Sequence, residues 1–132
     1  METLYKSKYI IIEFDKARSY MKVTRTKETE FYNDEEYLKE NKIWESLVDK
    51  YKPKYALIDQ REFYYIVAPD IQELLKKTII KTATKNKLKK LAIVEPEDLF
   101  TKASVYQIFD DINNFYLQYF KDIESAEKWL FE

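Results

Sequence analysis

The sequence predicts one α/β domain spanning residues 1–132, built on a mixed sheet of about five strands in the order β-β-α-β-α-β-α-β-α. Short runs of β-branched and aromatic residues alternate with stretches whose apolar residues recur at helical spacing, and Pro53, Pro69 and Pro96 stand where the type changes. Such alternation implies parallel strands joined by right-handed crossovers, with the first two strands forming an antiparallel pair at one edge. At 132 residues and 45% hydrophobic, the chain can bury a core without disulfides or metal.

The first strand is read at Tyr9-Ile10-Ile11-Ile12-Glu13-Phe14 and the second at Tyr20-Met21-Lys22-Val23-Thr24-Arg25, whose polar and apolar residues alternate as in a half-exposed strand. Asp15 to Ser19 holds no Asn-Gly or Asp-Gly pair, so a turn longer than two residues joins them. Asn33 and Glu36 have capping-box spacing, and Tyr37, Trp44, Leu47, Val48 and Tyr51 continue as a helix that ends before Pro53. Tyr55-Ala56-Leu57-Ile58, closing on Asp59, has the form of a strand covered on both faces. Pro69 suits the first position of the next helix, Asp70 and Glu73 favour its N-terminal dipole, and Ile71, Leu74, Leu75 and Ile79 share a face.

Leu91-Ala92-Ile93-Val94 repeats the covered-strand form and ends on Glu95. The following helix carries Val105, Ile108, Phe109 and Ile112 and is expected to stop at Asn113-Asn114, because Asn tolerates the left-handed conformation. Phe115 to Phe120 fits either a continuing helix or a last strand; its aromatic density favours the strand. Asp122 caps a final helix that turns Ile123, Ala126, Trp129 and Leu130 inward.

The chain has no Gly, no His and no Cys. Without Cys and His there are no disulfides, thiolate nucleophiles, iron–sulfur ligands or usual zinc ligands, and the commonest general base is missing. Without Gly, the phosphate loops that bring backbone close to a phosphate are excluded. The expectation is therefore a protein that is not an enzyme and carries no cofactor and no metal, with an enzyme using only carboxylates, Lys and Tyr, such as an acid–base pair of Asp59 and Glu95, as the remaining alternative. Residues 1–30 hold no apolar run of signal-peptide form and no segment has the roughly 20 apolar residues that span a bilayer, so a cytoplasmic location is expected.

The formal charge of −1 conceals blocks of −2 over residues 1–73, +7 over 74–94 and −6 over 95–132. The middle block, with Lys76, Lys77, Lys81, Lys85, Lys87, Lys89 and Lys90, lacks both Arg and aromatic residues. It is read as a solvated surface, and no nucleic-acid partner is expected.

Ligands of open α/β sheets sit at the carboxyl ends of the parallel strands, where Asp59 and Glu95 are expected. Phe63-Tyr64-Tyr65 follows the central strand, and three adjacent aromatics cannot all enter one core, so at least one is expected to be exposed as a partner anchor. Arg61 offers a bidentate donor to an anion or carboxylate, with pairing to Asp59, Glu62 or Asp70 as the structural alternative. The partner- or ligand-binding set is thus Asp59, Arg61, Phe63, Tyr64, Tyr65, Asp70 and Glu95.

Ala56-Leu57-Ile58-Asp59, then Arg61, Phe63, Ile66, Pro69, Gln72 and Glu73, resemble the SpoIIAA-like branch of the STAS domains, as does the ending Phe120-Lys121-Asp122 with Glu124-Ser125-Ala126-Glu127-Lys128-Trp129-Leu130. The resemblance implies a non-enzymatic interaction module akin in fold to bacterial anti-sigma-factor antagonists. It places Val67, Ala68, Pro69 and Asp70 where the antagonists carry a phosphorylated serine, so no hydroxyl is present to modify and Asp70 supplies a permanent charge. A protein partner is the leading expectation. The alternative is carriage of a small apolar or anionic ligand between helices and sheet, as in the structurally akin CRAL-TRIO fold. A homodimer is compatible with either.

Overall fold

The computed structural model describes residues 1–132. Six strands form one sheet in sequential order: β1 (Glu2–Lys6), β2 (Ile10–Asp15), β3 (Tyr20–Arg25), β4 (Tyr55–Asp59), β5 (Lys90–Val94) and β6 (Tyr116–Phe120). The first three are antiparallel neighbours, and β3 to β6 run parallel. The α/β architecture and mixed sheet match the sequence reading; the strand count does not. The additional strand is β1, a short edge segment with polar ends and a register shift between Thr3 and Tyr5, which carries too little apolar alternation to stand out. The ambiguous segment near Phe115 is a strand, β6.

Four helices cover the sheet: α1 (Asp34–Tyr51), α2 (Pro69–Lys85), α3 (Leu99–Phe109) and α4 (Ile123–Leu130), with a 3-10 turn at Lys27–Phe31 before α1. The period of two decides which residues meet which helices. Ile10, Ile12, Phe14, Met21, Val23, Ala56, Ile58, Leu91 and Ile93 pack with Trp44, Val48, Leu75, Ile79 and Ile108 of α1, α2 and α3. Tyr20, Leu57, Ala92 and Val94 point the other way and meet Ala126 and Leu130 of α4. Ile58 and Ile93 are register partners in β4 and β5, which places the ends of both strands on one rim.

The termini of the helices follow their residues. Asn33 accepts from the Glu36 N–H at 2.8 Å while Glu36 accepts from the Asn33 N–H, closing the capping box. Asp98 and Asp122 accept from the N–H groups of Thr101 and Ser125, and these bonds hold both carboxyls below the usual carboxylate range. Lacking Gly, the chain puts Ser19, Lys52, Lys87 and Asp111 at positive φ, at turns and helix ends that Gly would otherwise fill. Asp111, rather than the Asn pair, marks the end of α3, which closes at Phe109 and leaves Ile112 buried beyond it. Leu74 is exposed instead of sharing the inner face of α2, and Trp129 is half-buried, leaning on Phe120 with its ring under the Lys90 ammonium. No helix is long and apolar enough to cross a membrane.

Burial raises the pKa of Tyr20, Tyr32, Tyr37 and Tyr119 above the ordinary tyrosine value, and pushes Tyr106 up to about 12. Because these phenols stay protonated in the fold while the unfolded chain ionises near pH 10, the unfolded state binds fewer protons above that point. Stability therefore holds up to about pH 10 and falls as pH rises further. In an alkaline titration, part of the tyrosinate absorbance should appear together with loss of the circular dichroism of the fold; full ionisation of every tyrosine near pH 10 with the fold intact contradicts this packing.

Candidate functional site

The rim at the carboxyl ends of β4 and β5 holds Asp59, Arg61 and Glu95. Asp59 continues the alternation of Tyr55 and Leu57, so its side chain leaves the sheet toward the α4 side. Arg61 grips it with two bonds, Nε to Oδ1 at 3.0 Å and Nη2 to Oδ2 at 2.9 Å, and its own N–H adds a third. The bond to Asp59 raises the Arg61 pKa further. Glu95, one residue past β5, leaves toward the opposite side, where Lys102 of α3 pairs with it at 3.2 Å and the Tyr106 hydroxyl donates to it. The two carboxylates therefore do not converge. An open cleft of about 290 Å³ lies between Arg61, Glu95, Glu97, Lys102 and Lys121, and its lining is entirely polar apart from Pro96. Asp59 and Glu95 each already have a cation, so they form two closed ion pairs rather than a free acid–base pair, and Glu97 stands on the cleft wall without a salt bridge.

The Phe63-Tyr64-Tyr65 segment is tied down. Thr29, buried in the 3-10 turn, accepts from the Tyr64 N–H at 3.0 Å and can donate to the Glu62 carbonyl. Phe63 is fully buried, while Tyr64 and Tyr65 are half-covered. Tyr65 packs against Tyr32, Tyr37 and Phe63 and donates its hydroxyl to Asp34. Asp70 lies exposed in the first turn of α2 and forms no salt bridge. The exposed apolar residue of this connection is Ile66, and at the start of α3 Leu99 and Phe100 are each about three-quarters exposed.

Phe63 and Tyr65 enclose a polar cluster that the sequence reading missed. Arg25 ends β3 in the inward register of Met21 and Val23, so its guanidinium enters the core beneath the helices. It lies over the rings of Tyr37, at 5.3 Å, and Phe63, at 5.0 Å, and donates through Nη1 to the Tyr32 hydroxyl at 3.1 Å. Tyr32 in turn donates to Glu40 at 2.5 Å, and Tyr5 donates to the other Glu40 oxygen at 2.7 Å. A buried cation and a buried carboxylate are thus joined through a phenol rather than directly. The signal existed in the sequence: Arg25 on the apolar alternation of a strand, and Glu40 between Tyr37 and Trp44 on the apolar stripe of a helix.

Beside this cluster lies a cavity with about 30 Å³ of room for water-sized molecules, enclosed by β2, β3, β4 and the three helices of that face. Three buried polar atoms belong to its lining residues and meet no protein partner: Arg25 Nε, Trp44 Nε1 and Gln60 Oε1. A buried donor or acceptor left without a partner destabilises by about 1–3 kcal/mol. That all three belong to residues lining one cavity makes it a second candidate site beside the rim.

Set against known protein families, characterised proteins and solved structures, the chain matches none.

Removing one partner of a buried charge network leaves the other charge stranded, at about 3–5 kcal/mol. Glu40→Leu should lower the stability measured by urea unfolding by that order, whereas Asp70→Asn, on an exposed turn, should stay within about 0.5 kcal/mol of the parent. Equal, small effects at both positions would show that the cluster does not hold the core.

Proposed function

We propose that this chain is a non-enzymatic, STAS-like interaction module of the cytoplasm that recognises a protein partner at the carboxyl rim of its sheet. The observation that carries the reading is the exposure of Ile66, Leu99 and Phe100, large apolar residues on the segments that follow β4 and β5. Single exposed apolar side chains are ordinary; two consecutive ones opening a helix, at 77% and 75% exposure, resemble the aromatic and aliphatic anchors of protein interfaces. The adjoining polar cleft supplies a charged border of the kind that surrounds such anchors. The partner surface is accordingly moved from Phe63, which is core, to Ile66, Leu99 and Phe100, with Arg61, Glu95 and Asp70 on nearby segments.

Carriage of a lipid-like molecule is the weaker reading. Pockets for such ligands measure about 300–1,000 Å³. The cavity between helices and sheet is about 30 Å³, too small for an acyl chain.

Leu99→Ser/Phe100→Ser should leave the melting temperature within a few degrees of the parent, because neither side chain is packed, and should abolish the capture of any partner that the parent retains from its native lysate. A partner retained equally by both proteins places the interface elsewhere.

A further inference from the structure

Because Arg25, Trp44 and Gln60 line one interior cavity and each carries a buried polar atom with no protein partner, we propose there a binding site for a small, weakly hydrated monovalent anion of chloride size. Arg25 Nε–H and Trp44 Nε1–H are donors that cannot act as acceptors, so a shared occupant must accept from both. Gln60 can turn its amide to present the NH₂ end as a third donor, since the two ends are interchangeable in shape.

Charge points the same way. The ion pairs of the molecule are Arg18–Asp15, Arg61–Asp59, Lys85–Asp49 and Lys102–Glu95, so Arg25 is a buried guanidinium with no carboxylate in direct contact. Glu40, which lines the same cavity, has one carboxylate oxygen taken by Tyr5 and the other by Tyr32. Glu40 and Asn41 also line the cavity, and the rest of its wall is apolar, with Ile58, Leu75, Ile79 and Ile108 in it, which favours an ion that sheds its water readily. Volume sets the upper limit: about 30 Å³ admits one or two atoms of water or halide size and excludes a tetrahedral oxyanion with its four oxygens.

This site is independent of the partner surface proposed above, since the cavity lies beneath the helices and the exposed anchors lie on the rim. Anion binding to the native state alone stabilises it in proportion to the logarithm of saturation.

Two measurements test the proposal. Crystals of the full chain grown in bromide should show anomalous scattering between Arg25 Nε and Trp44 Nε1; anomalous signal confined to surface lysines, or its absence from the cavity, overturns the proposal. In solution, replacing gluconate by chloride at constant ionic strength should raise the melting temperature by several degrees, and Trp44→Phe, which keeps a ring but removes the donor, should lose most of that rise. An equal rise in parent and Trp44→Phe, or none in the parent, counts against the site.

Discussion

One positively charged side chain organises the three-helix side of this sheet. Arg25 occupies an inward position of β3, where the pleat would otherwise place another aliphatic residue, and it is buried there. The surrounding structure answers that demand with two ring faces, a phenol and a carboxylate, drawn from segments remote in sequence: Phe63 after β4, Tyr32 before α1, and Tyr37 and Glu40 from α1 itself. These contacts fasten the 3-10 turn, the start of α1 and the connection after β4 to one another. Tyr9, stacked on Tyr32, and Tyr65, edge-on to Tyr32 and tilted against Tyr37, complete the aromatic wall.

The two sides of the sheet solve different problems. Beyond β4 to β6, the α4 side is a small apolar layer of Leu57, Ala92, Val94, Ala126 and Leu130, joined to the rest through Tyr20, whose hydroxyl donates to Glu127. The other side carries three helices, the main apolar core and the polar cluster within it. At the rim, Asp59 and Glu95 are each paired with a cation, and the exposed large apolar side chains are Ile66, Leu99 and Phe100. Interior polarity and exposed apolar surface are therefore separated, so the two proposed sites, at the rim and in the cavity, can be tested independently.

Much of the architecture was legible because it rests on local signals. The apolar runs at Ala56–Ile58 and Leu91–Val94, the Asn33/Glu36 pair, Pro69 and Asp122 each name an element or its start without reference to the rest of the chain. β1 escaped because an edge strand needs neither apolar faces nor a long run, and its identity comes from pairing with β2. Phe63-Tyr64-Tyr65 suggested exposed anchors because adjacency shows that the three cannot share one direction; which of them turns inward depends on Arg25, about forty residues earlier in the chain. The interior cluster was harder to read for the same reason: the sequence marks Arg25 and Glu40 as charges on apolar faces, but only the packing of α1 on β3 and β4 brings them together with Tyr32, Trp44 and Gln60. Charge pairing at Asp59 and Arg61, two residues apart, was within reach of sequence reasoning.

The account stands on Arg25 holding its guanidinium inside the core and facing the same cavity as Trp44. Amide and side-chain hydrogen exchange followed by nitrogen-15 spectroscopy reads this directly. The Arg25 Nε–H and Trp44 Nε1–H signals should exchange far more slowly than the Nε–H of the exposed Arg18 and the indole N–H of the half-buried Trp129, and both should move together when halide is added. An Arg25 Nε–H that exchanges as freely as that of Arg18 would place the charge in solvent and contradict the account.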